Sequence, residues 1–187
     1  INFANPGAQL FGTNPTLTAT ATSGLPVLFT SATGTVCTIS SAGALSFIAP
    51  GTCTINANQA GDGTYLAATQ VSQSFAVNAD IPDAPVIDSV TVVDGNQVSV
   101  SFTPPSFDGG AGITSYTVTS VPGGLTATGT GSPLVVSGLT AGTSYRFFVT
   151  ASNVAGTSGA SGLSDSVTPQ DPNTAPVISG NPATSIR

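Results

Sequence analysis

Few side chains in these 187 residues can do chemistry. All eight acidic residues are aspartates; Glu, Lys, His, Met and Trp are absent, and the only bases are Arg146 and Arg187. A Ser or Cys nucleophile needs a neighbouring base, and the usual ones are missing. An aspartate pair could still divide acid and base roles. The candidate pairs are Asp80 with Asp83 and Asp165 with Asp171. They fall in connecting stretches or near the ends of compact regions, and no Asp-Thr-Gly or Asp-Ser-Gly is present. The aspartates therefore read as turn-forming and solubilising, and the chain as non-catalytic. Zinc would need free Cys or His. Calcium takes carboxylate and carbonyl oxygens, and Asp80, Asp83 and Asp171 are the conceivable ligands, but without Asp-x-Asp-x-Asp spacing. No metal and no cofactor are expected.

The two cysteines, Cys37 and Cys53, form an even count in a Thr/Ser-rich chain. That favours one disulfide and an oxidising compartment over two buried thiols. In the expected register Cys37 shares a face with Ile39 and Cys53 with Ile55, so both sulfurs should point inward. Closing such a loop contributes roughly 3 kcal/mol, mainly by restricting the unfolded chain. A net charge of −6 with two bases cannot neutralise a run of phosphates, so no nucleic-acid partner is expected. The same inventory lacks a polybasic membrane patch, and no apolar run is long enough for a spanning helix. Membrane insertion is not expected. Without lysine there are no Lys-Asn or Lys-Asp isopeptide bonds, and trypsin meets only Arg146 and Arg187. For a sugar platform the one aromatic not assigned to a core is Tyr65 in its Gly-rich turn. Phe148 and Phe107 would mark a contact patch if both lay exposed on one face.

The elements that must carry these residues are strands. Gly (22) and Pro (14) are spread evenly, a pattern of short strands and tight turns. In residues 138–156, Tyr145, Phe147, Val149 and Ala151 alternate with Arg146, Phe148, Thr150 and Ser152, the period of a half-buried strand. Tyr145 stands where a tyrosine corner would send its hydroxyl back over the preceding turn. The chain length suits two sandwich-sized cores. The expected fold is all-β, two tandem β-sandwich domains: 1–79, a linker at 80–83, and 84–169, with 170–187 as a further linker and strand. Strands are expected in the first unit at 1–4, 17–22, 27–31, 36–39, 44–48, 53–57 and 70–78. In the second, Val98, Val100 and Phe102, then Tyr116 and Val118, should point inward, and a last strand should lie between Ala160 and Thr168. Pro82 and Pro85 should make the linker extended and semi-rigid, with the units end to end.

Two resemblances bear on this. Residues 23–27, Val36-Cys37, 51–55 and the run Asn58-Gln59-Ala60-Gly61-Asp62-Gly63-Thr64-Tyr65 resemble a bacterial Ig-like repeat. That resemblance implies a sandwich serving as stalk or adhesive module in large secreted or surface proteins, with no catalytic residues. Pro104-Pro105, Tyr116, residues 138–145 and Asn153-Val154-Ala155-Gly156 are similar to a fibronectin type III domain. Phe102 stands where that family usually has Trp, and no Arg-Gly-Asp is present, so integrin binding is not implied.

Ala175-Pro176-Val177-Ile178 repeats the residue types of Ala84-Pro85-Val86-Ile87. It reads as the opening strand of a further domain, or as a strand that completes a sheet edge in a neighbouring subunit. The expected role is a non-catalytic structural or adhesive segment, extracellular or on a cell surface. Its partners would be neighbouring domains of the same parent chain and possible identical subunits. Two alternatives stand: a subunit of a self-assembling extracellular filament using its terminal strand, and a spacer of a secreted polysaccharide-degrading enzyme.

Overall fold

A computed structural model describes residues 1–170. The second pair of the aspartate candidates (through Asp171) and the strand-donating residues Ala175, Pro176, Val177 and Ile178 lie outside the described residues. Within them the fold is all-β, with no helix.

The first core is enclosed by two sheets. One joins β1 (Gln9–Leu10), β6 (Ala68–Asn78), β5 (Gly51–Gln59) and β2 (Leu28–Ser31) in that order. The other pairs β3 (Cys37–Ile39) with β4 (Leu45–Phe47). In β5 every second side chain from Cys53 to Gln59 is buried, the period-two signature of a one-sided sheet. Phe3, Phe29, Leu45, Ile55, Phe75 and Val77 fill the interior. Phe3 and Phe29 meet edge-on at 5.4 Å, an arrangement that suits the ring quadrupoles.

The second core lies between β10 (Thr126–Gly129), β9 (Ser115–Val121), β12 (Arg146–Asn153) and β13 (Gly156–Thr157) on one side and β11 (Leu134–Ser137), β8 (Gln97–Thr103) and β7 (Val86–Asp94) on the other. Val98, Val100, Phe102, Tyr116, Val118, Phe147, Val149 and Ala151 are all buried, as the alternation requires. Phe102 lies 4.9 Å from Tyr116, ring to ring. In β7 the inward residues are Ile87 and Val90, three apart instead of two. A bulge between Ile87 and Ser89 absorbs the extra residue and keeps both on the core face.

Three expectations are corrected. Residues 1–4 and 17–22 make only one isolated bridge, Asn2 to Thr20, and Thr16 just before the second range bridges to Ala44. Flanking Pro6 and Pro15 withhold backbone donors and cut these pieces short. The parallel pairing of Gln9–Leu10 with Val77–Asn78 replaces them as the edge of the main sheet. Between Ala160 and Thr168 there is no ladder strand, only the Tyr145–Val167 bridge.

That last segment pairs with β12 in a different period. Ser158, Ser161, Ser164 and Val167 donate their amides to the carbonyls of Ala151, Val149, Phe147 and Tyr145. In return the amides of Ala151, Val149 and Phe147 donate to the hydroxyls of Ser158, Ser161 and Ser164 at 2.9–3.0 Å. Three residues here span two residues of strand, about 7 Å, so the segment rises only about 2.2 Å per residue and is too compressed to be a strand. Hydroxyl oxygens stand where a neighbouring strand would present carbonyls.

Candidate functional site at the junction of the two units

Polar groups from three distant parts of the chain meet at the linker. β12 ends at Asn153, a position that the alternation turns inward, and its side chain is only 7% exposed. Its Nδ2 donates to the carbonyls of Asp80 (2.7 Å) and Asp108 (2.8 Å). Its Oδ1 accepts from the amides of Ala155 (2.8 Å) and Gly156 (3.1 Å). One amide side chain thereby meets both donor and both acceptor requirements while joining three segments.

The loop at 107–110 completes the contact. The Asp80 amide donates to the Gly109 carbonyl and the Asp83 amide to the Phe107 carbonyl, both at 3.0 Å. Gly109 has φ +77, and a Cβ there would overlap the Asp80 carbonyl oxygen, so this approach requires glycine. Phe107 stacks on Phe11 of the first unit at 5.9 Å and 11°. Phe11 also packs against the first core, so the stack connects that core to the second unit. The linker is held by these bonds as well as by its prolines, and Pro85 is itself fully buried.

The other candidate residues stand apart from one another. Cys37 and Cys53 form a disulfide, fully buried, with Cα atoms 5.8 Å apart, bridging the small sheet to the large one. The Tyr145 hydroxyl accepts from the Thr140 amide at 3.1 Å, and that bond holds the phenol below its usual pKa. Asp80 and Asp83 are engaged at the junction through their backbones, and the Asp80 carboxylate accepts from the Ile81 amide. Among the described residues no three metal-ligating side chains come together. Phe107 faces the first unit, while Phe148 is half-buried on β12, so the two form no common patch.

The Asp62 carboxylate accepts from the Thr64 and Tyr65 amides at 2.7 and 2.8 Å, which holds it below the usual carboxylate pKa. This turn leaves Tyr65 49% and Leu66 93% exposed. A shallow groove of about 330 Å³ runs between Pro85–Val90 and Gly162–Asp165, where β7 and the serine segment face each other. Neither Phe11 nor Gly109 stands out in the sequence, and Asn153 does so only within the Asn153–Gly156 run, with no role at the junction. The Asp108-Gly109-Gly110 run was the one local hint of a loop needing close backbone approach.

The fibronectin type III domain profile matches residues 83–167. Residues 83–167 are a fibronectin type III domain. No curated protein matches the chain. Titin domains A168–A170 share the fold with a TM-score of 0.50 at 20% identity, over 88% of this chain and 62% of theirs. The titin kinase with its flanking domains matches at 31% identity and TM-score 0.44, over 49% of this chain and 18% of that one. The kinase region of C. elegans twitchin matches at 28% and 0.45, over 49% and 17%. The chain thus spans less than a fifth of the length of those two kinase-region proteins.

Proposed function

We propose that this chain is a non-catalytic structural segment of a secreted or cell-surface bacterial protein, a stalk or spacer that carries other parts outward. An Ig-like unit comes first and the fibronectin type III domain second. The observation that carries this reading is the junction: two separately closed cores, with the linker bonded to the second and the Phe11–Phe107 stack joining the first to it. The buried Cys37–Cys53 bond supports an oxidising, extracellular setting. The groups that line the junction are carbonyls, amides and phenyl rings, which suit positioning and not bond making.

An antibody against residues 1–170, applied to intact cells and to cleared medium of the source organism, tests the reading. Labelling of unpermeabilised cells or of the medium is expected. Signal seen only after permeabilisation overturns it.

A second reading, a self-assembling filament, is favoured by the open seam between β7 and Gly162–Asp165. The outer edge of β7 bonds to no other described strand, and Ala175–Ile178 of another copy would supply an extended partner. Deleting residues 173–187 should abolish oligomers in size-exclusion and filaments in electron microscopy. Monomers before and after deletion reject it.

A further inference from the structure

Two sandwiches joined by four residues ordinarily move against each other, because a short linker restrains distance more than angle. This junction is built differently. The Asn153 amide on the Asp80 carbonyl and the paired backbone bonds Asp80–Gly109 and Asp83–Phe107 fix the linker to the second unit, and the Phe11–Phe107 stack joins that unit directly to the first. With the chain bonded to the second unit from Asp80 onward and β6 ending at Asn78, a hinge is left only about Ala79, and the ring stack opposes it. Bending away from the Phe11 side parts the rings. Twisting about the linker pulls the Asp80 carbonyl off Asn153 Nδ2 and leaves a nearly buried amide short of a partner, a change that costs more than the bond itself contributes.

The surrounding residues leave no slack. A Cβ at Gly110 would sit 2.6 Å from Phe11 Cδ1, and one at Gly12 would sit 2.9 Å from Phe107 Cζ. The faces are in contact to within the size of a methyl group. On the opposite side a Cβ at Gly156 would lie 3.0 Å from Ile81 Cγ2, so the turn after β12 also closes on the linker.

We infer that Asn153, Gly109 and the Phe11–Phe107 stack form a lock that sets the angle between the two units, so that the pair turns as one rigid body. Asn153 is the positioning residue of this lock. It belongs to the second core's strand β12 and reads the position of the linker directly. The lock holds whatever surface the chain projects from, so its test is separate from that of cellular location.

The test is to measure amide residual dipolar couplings of residues 1–170 in a dilute alignment medium and fit an alignment tensor to each unit. The wild-type protein should give a single common tensor. Asn153→Ala should split it into two of different magnitude, while the core resonances of Ile55 and Val100 keep their shifts. Phe107→Ala, which touches neither core, should also split the tensor. It keeps the test valid if Asn153→Ala fails to fold. A Gly-Ser-Gly-Ser insertion after Ile81 serves as the uncoupled reference. Two different tensors in the wild-type protein overturn the inference, and so does a common tensor that survives in Phe107→Ala.

Discussion

The Tyr145 hydroxyl has one visible task, to accept the Thr140 amide. Tyr145→Phe keeps the ring in the core and removes that acceptor, leaving a partly buried N–H without a partner. The expected loss is about 1–2 kcal/mol in urea denaturation, with an unchanged slope. Asp62 makes a pH-dependent case. Its carboxyl is held below the ordinary value of 3.8 by the Thr64 and Tyr65 amides. A depressed folded-state pKa means the turn is fully supported above the unfolded value and loses that support as pH falls through the folded one. Amide protection factors (exchange corrected for its intrinsic pH dependence) and shifts at Thr64 and Tyr65 should therefore be flat at neutral pH and change only as the pH falls below the ordinary carboxylate value of 3.8. Asp62→Asn should remove most of that dependence. A profile centred above 4 would mean the carboxylate does not bind those amides.

At the scale of elements, β8, β9 and β12 were legible because each faces a single core, and a period of two is all that such a strand must write into its residues. The register of β7 is not legible, since the bulge at Asp88 breaks the alternation without changing composition. The closing segment was misread for a physical reason. Ser158, Ser161 and Ser164 repeat every third residue, and their hydroxyls, not backbone carbonyls, receive the β12 amides. A search for period two passes over this arrangement. It makes a sharp prediction: Ser161→Ala should cost about 1–3 kcal/mol, because the fully buried Val149 is left with an unaccepted amide. Exposed Ser166→Ala in the same segment should stay within about 0.5 kcal/mol. Equal effects at both positions would show that the serine hydroxyls do not carry this edge.

For the whole molecule, the junction was the least legible feature, because it exists only between residues far apart in the chain. Asn153 and Asp80 are separated by 73 positions and Asn153 and Asp108 by 45, and each looks locally like any turn-forming residue. The division into two cores was easier to foresee, and it carries its own consequence. The only disulfide among the described residues lies in the first core, while Tyr116 and Tyr145 lie in the second. Reduction should cost the first unit about 3 kcal/mol by freeing its unfolded chain. For a unit of this size that is a fall in melting temperature on the order of 15 °C. The contacts at the lock are few beside those inside each core, so they orient the units without merging their unfolding. Calorimetry with and without reductant should then show two transitions, of which only one moves. Near-ultraviolet dichroism, dominated by the buried tyrosines, should follow the transition that stays. If both transitions shift together, or the tyrosine signal tracks the reductant-sensitive one, the cores are coupled through Asn153 and Phe107 more tightly than their separate interiors imply.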